Sequence, residues 1–466
     1  MFNQWDSPAW SRQAVFYQIF PDRFFDGDPR NNPEGTVSWD SIPTREDFFG
    51  GDLQGIRAKL DYLQALGITA LYTTPFFKAR TNHRYDTSDY LQIDPVAGTL
   101  DDFKALVAGL KQRDMRLVLD AVFNHCGDGF WAFQDVCERG RASDYIDWFR
   151  VEQLPVVETP ASYQTCGGAP FLPKLNTTNP AVRDYLMQVT RYWLEQGADG
   201  WRLDVPWKVP MDFWREFKLV ALAANPQAYL VAEVWRGTDA WLHGDTVHGI
   251  MNYRLRSYIL DYCVYDHMDA EDFDYEVTAL RVEHGASAYS HLTLLGSHDT
   301  PRLLTLCGGN AQRAFLSVVF QMTYIGIPMI YYGDEVGMTG ENDPLCRAGM
   351  IWDWSAQNQQ FQETYRMLIH LRRNHPELVE GDFETLYTFN GVYAFRRFLG
   401  NQSIIVVMNP REQRHNVRIP SSGAADTAAA WRDQLTGKMH TSEEGYIILD
   451  ELPSCSALIL LPAGDS

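Results

Sequence analysis

The segment DGWRLDVPWK, residues 199–208, combines an apolar run with charged side chains at its end. Its GWRL portion has the composition of a short buried strand. Arg202 and Asp204 are two residues apart, so both side chains would point to the same side of that strand. Burying charges costs free energy unless they are paired or used. The segment therefore predicts a core strand whose end belongs to a functional site.

Apolar runs of this kind recur along the chain and alternate with amphipathic stretches. Helical spacing of apolar residues predicts helices at 53–67, 100–114, 179–197 and 311–326. Strict alternation of strands and helices is typical of a parallel sheet covered by helices on both faces. Eight strand–helix units fit an α/β fold of the (β/α)8 or TIM barrel type. The predicted strands are 14–20, 69–75, 116–123, 200–204, 229–235, 249–252, 292–297 and 329–335.

Two departures from this alternation predict the domain organisation. A long segment rich in glycine, proline and aromatic residues follows the third strand, and its length predicts an inserted subdomain over the barrel mouth. After about residue 378, short strands with turns predict a C-terminal β-sandwich. The expected boundaries are 1–125 and 176–377 for the barrel, 126–175 for the inserted domain and 378–466 for the sandwich.

Charge and composition exclude several classes of partner. Asp and Glu total 60 against 40 Lys and Arg, which gives a formal net charge of −20. Such a surface repels polyanions, so neither nucleic acid nor a membrane surface is an expected partner. The seven cysteines are scattered without a CxxC pair, which argues against a disulfide framework and a zinc site. No signal peptide or membrane span is evident, so we expect a cytoplasmic protein.

Charged residues cluster at the predicted strand ends, where the active sites of such barrels lie. They are Asp120 and His125 after strand three, Arg202 and Asp204 at strand four, Glu233 at strand five, and His298 and Asp299 after strand seven. Carboxyl groups that face one mouth between aromatic walls suit glycoside hydrolysis, in which one attacks the sugar and another protonates the leaving oxygen.

The residue types at these positions suggest a division of labour. Arg202 would keep Asp204 ionised and able to attack the sugar. Glu233 ends an apolar strand, a setting that lets a carboxyl group retain a proton. Asp299 would stabilise positive charge on the sugar from a third side. An isolated charge at a strand end is more often a cap or an ion pair, but several converging charges favour catalysis.

The four strand-end motifs resemble those of the α-amylase superfamily, glycoside hydrolase family 13. DAVFNH (120–125), GWRLD (200–204), AEVW (232–235) and LLGSHDT (294–300) occur in the family's order. The resemblance implies a retaining mechanism with a covalent glycosyl-enzyme intermediate. By it, Asp204 is the nucleophile, Glu233 the general acid/base and Asp299 the transition-state stabiliser; Arg202, His125 and His298 hydrogen-bond the reacting sugar, and Tyr85 stacks beneath it beside His83 and Asp86.

Two further motifs narrow the resemblance. LPKLN (172–176) is similar to a signature of the neopullulanase, cyclomaltodextrinase and maltogenic amylase group. Residues 331–353 resemble the same group's strand-eight region, which implies that Asp343 and Arg347 contact sugars on the non-reducing side of the cleaved bond.

The chain also departs from that group in two places. The first barrel strand is predicted from residue 14, so the group's N-terminal β-domain, and the dimer it mediates, are not expected, and the oligomeric state stays unknown. Pro206, Trp207 and Lys208 replace the group's usual Ala-Asn-Glu. Trp207 could stack on an acceptor sugar while Lys208 binds its hydroxyls. Alternatively, Trp207 packs against the barrel rim.

Two acidic and amide-rich segments, FFDGDPRNNP (24–33) and FFGGDLQG (48–55), form a possible cation site. Ca²⁺ takes six to eight oxygen ligands, which such loops can supply, although similar loops are often plain turns. The segments resemble the N-terminal calcium site of cyclodextrin glucanotransferases and some neopullulanases. That resemblance implies a structural Ca²⁺ held by Asp26, Asp28, Asn31, Asn32, the Gly50 carbonyl and Asp52.

The favoured function is hydrolysis of α-1,4-glucosidic bonds in maltodextrins, cyclodextrins or pullulan. An α-glucan transglycosylase resembling 4-α-glucanotransferases and an exo-acting α-glucosidase are alternative enzymes. A barrel that only binds or scaffolds is the alternative from another class, and the presence of three suitable carboxyl groups argues against it.

Overall fold

A computed structural model describes residues 7–159, 161–421 and 430–463. Eight parallel strands close into a barrel, which confirms the predicted fold class. The barrel strands are β1 (Phe16–Ile19), β2 (Ala70–Thr73), β3 (Arg116–Ala121), β4 (Gly200–Leu203), β5 (Tyr229–Val234), β6 (Gly249–Asn252), β7 (Leu292–Leu294) and β8 (Ile327–Tyr331).

Alternation along each strand separates the barrel interior from the layer under the helices. In β4, Trp201 and Leu203 pack into the outer core, whereas Arg202 lies in the register of Asp120 of β3. The interior cluster, formed by residues such as Phe16 and Met251, fills the barrel below these charges. Because the strands are parallel, all their carboxyl ends open on one face.

Helices surround the barrel, and several of them are shorter than the sequence predicts. The predicted helix 53–67 is divided at Lys59, and the strand predicted to end at residue 297 ends at Leu294. The α-helices are Ala9–Arg12, Pro21–Phe24, Leu53–Ala58, Leu60–Leu66, Leu100–Lys111, Trp131–Arg139, Pro180–Glu195, Met211–Ala224, Tyr253–Cys263, Ala270–His284, Leu303–Leu306, Ala311–Thr323, Gln359–Asn374 and Pro376–Val379.

The segment between β3 and helix Pro180–Glu195 has its own small core. Its isolated β-bridges join residues around 149–151, 163–165 and 173–175 into a ribbon. Phe149, Tyr163 and Leu175 are buried on one face of this ribbon. The bridge between His125 and Lys174 fastens the ribbon beside the end of β3. A second, short ribbon pairs Phe77–Lys78 with Asp89–Ile93.

The C-terminal part is an antiparallel sheet of eight strands in the order β9-β10-β11-β16-β13-β14-β15-β12. Apolar side chains from both ends of this order, such as Val392 and Ile447, share one core, so the sheet folds over on itself. Its strands are β9 (Asp382–Tyr387), β10 (Tyr393–Leu399), β11 (Gln402–Asn409), β12 (Arg414–Pro420), β13 (Ala430–Asp433), β14 (Met439–Glu443), β15 (Tyr446–Leu452) and β16 (Ser456–Pro462).

In the described ranges, we find no helix that is both long and apolar enough to cross a bilayer.

Arg397 of β10 ties the C-terminal sheet to the barrel helices. Its side chain is fully buried and donates hydrogen bonds to the carbonyls of Thr323 (2.8 Å), Leu378 (2.9 Å) and Gly381 (2.8 Å). Thr323 ends a barrel helix, Leu378 lies in the helix Pro376–Val379, and Gly381 directly precedes β9. Burial lowers the pKa of Arg397 to about 10, which still leaves it charged at neutral pH. The Arg397 guanidinium therefore joins the C-terminal sheet to the barrel through hydrogen bonds to buried carbonyls.

Replacing this guanidinium tests its contribution to stability. Arg397→Met would leave several buried carbonyls without donors, and we expect the free energy of unfolding to fall by about 3 kcal/mol. Calorimetric unfolding should therefore begin at a lower temperature. Arg418→Met, at a half-exposed arginine of β12, is the matched control. Equal unfolding temperatures for the two variants would contradict the role given to Arg397.

Candidate active site

A cavity of about 920 Å³ opens at the carboxyl ends of the barrel strands. Its walls come from the loops that follow β2 to β5, β7 and β8, together with residues 44–48. Of the residues predicted from the sequence, those lining it are His83, Tyr85, His125, Asp204, Glu233, His298, Asp299, Asp343 and Arg347.

Arg202 lies beneath the cavity floor and joins carboxylates from three neighbouring strands. Its Nη1 donates to Asp120 Oδ1 (2.8 Å) and to Asp204 Oδ1 (2.7 Å). Its Nη2 lies 3.0 Å from Glu233 Oε2, close enough for an ion pair, but it makes no hydrogen bond there. The guanidinium is fully buried. It is thus the positive centre around which the carboxyl groups are arranged.

The carboxyl groups around Arg202 are strongly coupled because they are buried together. Burial raises the pKa of Asp204, and the negative charges of Glu233 and Asp120 raise it further, while Arg202 opposes the rise. Burial likewise raises the pKa of Asp120 against the influence of Arg202. Asp204 Oδ2 is buried and has no hydrogen-bond partner. This free oxygen belongs to a side chain that lines the cavity.

Glu233 is held by donors on both of its oxygens. Trp235 Nε1 donates to Oε1 (2.9 Å), and the backbone N–H of Val205 donates to Oε2 (3.1 Å). The Trp235 indole stacks on Tyr253 at 3.6 Å between ring centroids. Val205 has φ of 42°, a left-handed conformation that is costly for a β-branched residue. That strained turn directs the Val205 N–H towards Glu233.

His298 stands in a buried hydrogen-bond chain. Gln18 Nε2 lies 2.7 Å from His298 Nδ1, and Tyr85 Oη lies 2.7 Å from His298 Nε2. Tyr85 Oη donates to Asp120 Oδ2 (2.9 Å), so it accepts from Nε2–H, and Nδ1 accepts from the Gln18 amide. Burial lowers the pKa of His298 well below its usual value, so the imidazole is neutral.

Two more histidines present neutral rings to the cavity. Burial, with Arg347 as the next contribution, lowers the pKa of His83 to about 3. Burial lowers the pKa of His125 to about 4, and His125 Nε2 is buried without a partner. The Tyr85 N–H donates to His83 Nδ1 (3.1 Å), so the Nε2 of His83 carries its proton. Both rings can therefore donate or accept a hydrogen bond without adding charge.

Asp299, Arg347 and Asp343 form a continuous polar wall. Arg347 Nη2 lies 3.2 Å from Asp299 Oδ1, and Arg347 Nη1 lies 2.9 Å from Asp343 Oδ1. Arg347 Nε also donates to the His298 carbonyl (2.8 Å), which fixes the guanidinium against β7. Asp299 is about one-third exposed, so its carboxylate meets the cavity rather than the core.

Four residues predicted to bind substrate lie outside the cavity lining. Arg202 is fully buried beneath the floor, where its guanidinium is engaged by carboxylates. Asp86 is buried, and the N–H groups of Arg80 and Thr81 donate to its carboxylate, so it shapes the loop that carries His83. Trp207 and Lys208 occupy a short 3-10 turn at the rim. Trp207 is 47% exposed, so about half of its surface stays open to solvent at the rim.

The predicted calcium loop contains three buried oxygens without hydrogen-bond partners, Asp26 Oδ1, Asn31 Oδ1 and Asn32 Oδ1. Gly50 adopts φ of 85°, and a Cβ there would lie 2.5 Å from Asn32 Oδ1, so glycine lets the loop close. Oxygens of the kind that Ca²⁺ prefers therefore converge here.

The other two predicted ligands are already engaged. Asp28 pairs with Arg30 through Nε at 2.7 Å, and Asp52 accepts from the N–H groups of Asp28 (2.9 Å) and Gly55 (2.6 Å). In the described part of the chain, no three His, Cys, Asp or Glu side chains converge as metal ligands. An ion in this loop would therefore depend on the Asp26 carboxylate together with amide and backbone oxygens.

Sequence reasoning missed four residues that organise the site, Gln18, Tyr72, Val205 and Trp235. Gln18 and Tyr72 lie inside β1 and β2 with side chains that reach His298 and Asp120. A glutamine within an otherwise apolar strand was the available signal for the first. The N–H of Val205 leaves no trace in the sequence, because its direction depends on a local backbone angle.

Comparison with known proteins agrees with this geometry. The family model described as the alpha amylase catalytic domain matches residues 18–375. Neopullulanase 2 of Thermoactinomyces vulgaris is 44% identical over 456 residues, which are 96% of this chain and 77% of that protein. A cyclomaltodextrinase of a Bacillus species is 46% identical over 418 residues, or 88% of this chain and 75% of that protein.

A solved structure of similar shape also carries a sugar ligand. The cyclic alpha-maltosyl-(1→6)-maltose hydrolase of Arthrobacter globiformis, in complex with cyclic alpha-maltosyl-(1→6)-maltose, is 41% identical with a TM-score of 0.90. The match covers 97% of this chain and 99% of that one. The family match spans the whole barrel and the strand ends that carry the cavity. The chain therefore belongs to the α-amylase family of glycoside hydrolases.

Proposed function

We propose that this protein hydrolyses α-1,4-glucosidic bonds of maltodextrins, cyclodextrins or pullulan with retention of configuration. The observation that carries the proposal is the placement of Asp204 and Glu233 on one buried arginine at the floor of an open cavity. Relatives named neopullulanase and cyclomaltodextrinase support an α-glucan as the substrate.

Asp204 is proposed as the nucleophile. Arg202 binds its Oδ1 at 2.7 Å and leaves Oδ2 free towards the cavity. The negative charge of Glu233 is one cause of the raised pKa of Asp204, so a proton on Glu233 removes that repulsion. With Glu233 as the proton donor, the ionised form of Asp204 can attack the anomeric carbon.

Glu233 is proposed as the general acid and then the general base. Its contact with Arg202 is not aligned as a hydrogen bond, whereas Arg202 Nη1 donates to Asp204 Oδ1. Trp235 and Val205 fix the carboxyl plane from two sides. Because the carboxyl group is held in one orientation, it can protonate the glycosidic oxygen without first changing its rotamer.

The neutral donors complete the proposed site. Positive charge that develops on the sugar would be stabilised by Asp299, while neutral His125 and His298 bind hydroxyls without opposing that charge. Tyr85 lies parallel to His298, with 5.5 Å between ring centroids, and its face can support a pyranose ring.

Product analysis by chromatography tests the proposed function. Purified protein would be incubated with maltoheptaose, β-cyclodextrin, pullulan, soluble starch and, at high concentration, maltotriose. We expect maltose from maltoheptaose, β-cyclodextrin and soluble starch, and the trisaccharide panose from pullulan. With maltotriose as the substrate, products longer than maltotriose would instead favour transglycosylation, the second candidate function. The exposed indole of Trp207 at the rim supports this candidate, because an acceptor sugar can stack on it.

An Asp204→Asn variant is the matched control for these assays, since it keeps the size of the side chain. We expect its turnover to fall at least about a thousandfold. Loss of turnover would exclude the scaffold alternative, whereas unchanged turnover would contradict the proposed mechanism.

The Trp235 hydrogen bond predicts a dependence on the leaving group. Fluoride departs with little proton transfer, whereas a sugar needs the proton from Glu233. Trp235→Phe keeps an aromatic ring beside Tyr253 and removes the indole N–H together with one of the two fused rings. We therefore expect kcat/KM for maltotriose to fall about tenfold and that for α-maltosyl fluoride to stay within about twofold.

Trp354→Phe, at an indole that is 64% exposed, is the control and should change neither rate. Equal losses on both substrates for Trp235→Phe would contradict a role in orienting the acid.

We also propose that the loop around Asp26 binds a structural Ca²⁺. The buried oxygens of Asp26, Asn31 and Asn32 support this site, and the carbonyl of Gly50 is the fourth expected ligand. Asp28 and Asp52 would hold the loop in shape, or rearrange to bind the ion directly. The ion would join the segment after β1 to the start of helix Leu53–Ala58 and take no part in bond cleavage.

Calorimetry with the calcium-depleted protein tests this site. We expect added CaCl2 to release heat of binding and to raise the unfolding temperature, because a ligand of the folded state stabilises it. Asp26→Ala should abolish both effects, whereas Asp61→Ala, at an exposed helix position, should preserve them. Identical unfolding temperatures with CaCl2 and with chelator would contradict the proposal.

We further propose that the protein resides in the cytoplasm. The support is that all seven cysteines are free, as is usual in a reducing compartment. The oligomeric state is left open.

A further inference from the structure

Three cations gather at one side of the active-site mouth without a carboxylate among them. They are Arg150 and Lys174 on the ribbon after β3 and Lys208 on the turn after β4. Among the residues that the structure describes, none of the three has an ion-pair partner, and the one side-chain contact of Arg150 is with Thr178 Oγ1 (3.3 Å). In a chain whose net charge is −20, Arg150 thus differs from the arginines that pair with a carboxylate, such as Arg183 and Arg313.

The ribbon places the first two of these side chains on one face. The N–H of Gln164 donates to the carbonyl of Arg150 (3.0 Å), and the N–H of Lys174 donates to the carbonyl of Gln164 (2.8 Å). Residues paired across neighbouring strands project to the same side of a sheet. The alternate residues Phe149 and Leu175 are buried on the opposite face. Arg150, Gln164 and Lys174 therefore form an outward row.

This row continues the wall of the catalytic cavity. His125 lines the cavity and forms an antiparallel bridge with Lys174, so both side chains point to the same side. Val205 also lines the cavity and begins the turn that carries Lys208. The N–H of Val205 donates to Glu233 Oε2 (3.1 Å), so this turn lies beside the residue whose proposed proton goes to the departing sugar.

The electrostatics of Lys174 show that the cations affect one another. Partial burial lowers the pKa of Lys174, and the positive charges of Lys208 and Arg150 lower it further. Like charges placed together repel, so the arrangement costs free energy in the unliganded protein. Neutral glucan hydroxyls do not relieve that repulsion, whereas an anionic group would.

We propose that Arg150, Lys174 and Lys208 form a binding site for an anionic group, a phosphate monoester or a carboxylate, on the leaving-side sugar of an α-glucan. The inference rests on the proposed function because it takes the sugar beside Glu233 as the leaving group. The anion would sit on the outward row while the glycosidic oxygen meets Glu233. Lys and Arg are the usual cationic partners of phosphate, and Gln164 can add a hydrogen bond.

Paired substrates test the site directly. The probes are maltotetraose and the same oligosaccharide with a 6-phosphate, or a 6-carboxylate, on its reducing-end glucose. At low ionic strength we expect kcat/KM for the phosphorylated form to exceed that for the neutral form about tenfold, as each partly exposed charge contact contributes up to about fivefold. A preference for the carboxylate alone would identify that anion as the ligand. At 0.5 M NaCl screening should largely remove the preference.

Substitutions assign the effect to these residues. In Lys174→Gln the ratio of the two kcat/KM values should fall towards one, and in Lys174→Glu it should fall below one. Lys104→Gln, on the outer helix Leu100–Lys111, is the matched control and should keep the ratio of the unmodified protein. The ratio is independent of how much active protein each preparation contains.

The outcomes separate this inference from the proposed function. Hydrolysis of neutral maltotetraose with a ratio near one for both anionic forms would overturn the anion site and leave the α-glucanase intact. Failure to hydrolyse any of the substrates would overturn the proposed function itself. A high ratio that Lys174→Glu does not lower would show that the anion binds elsewhere and would also overturn the assignment.

Discussion

The structure depends on the charge of Arg202, buried at the base of the catalytic cavity. One guanidinium contacts carboxyl groups from β3, β4 and β5, so it neutralises charge that would otherwise repel within the barrel. Removing it would leave several carboxyl groups buried without a counter-ion, a far larger cost than losing a surface pair. The floor of the cavity, the charge of its carboxyl groups and their positions therefore all depend on the Arg202 side chain.

The parallel register explains why these groups meet. Asp120 pairs with Arg202, and Glu233 lies one strand further at the same end of the barrel. Tyr72 and Tyr85 both donate to Asp120 Oδ2, so the Asp120 carboxylate is engaged by hydrogen bonds. Asp204 Oδ2, in contrast, has no hydrogen-bond partner. The surrounding hydrogen bonds thus select one carboxyl group for contact with substrate.

The sequence predicted the barrel and the lining of its mouth because both leave periodic signals. Apolar strands alternate with amphipathic helices, and charges such as Asp204 and Asp299 stand where each strand ends. Single-residue geometry leaves no such signal. Composition does not determine the backbone angles of individual residues. Three features depend on such angles: the turn at Val205, the Trp235 contact with Glu233, and the position of Asp86 inside its own loop.

The central claim is that Arg202 holds Asp204 as the nucleophile while Glu233 acts as the general acid and base. Trapping the glycosyl-enzyme tests it most directly. The protein would be incubated with a 5-fluoro-α-glycosyl fluoride of maltose, quenched in acid and digested, and the labelled peptide sequenced by mass spectrometry. The account predicts a single maltosyl label on the Asp204 side chain. A label on Glu233 or Asp299 would contradict it.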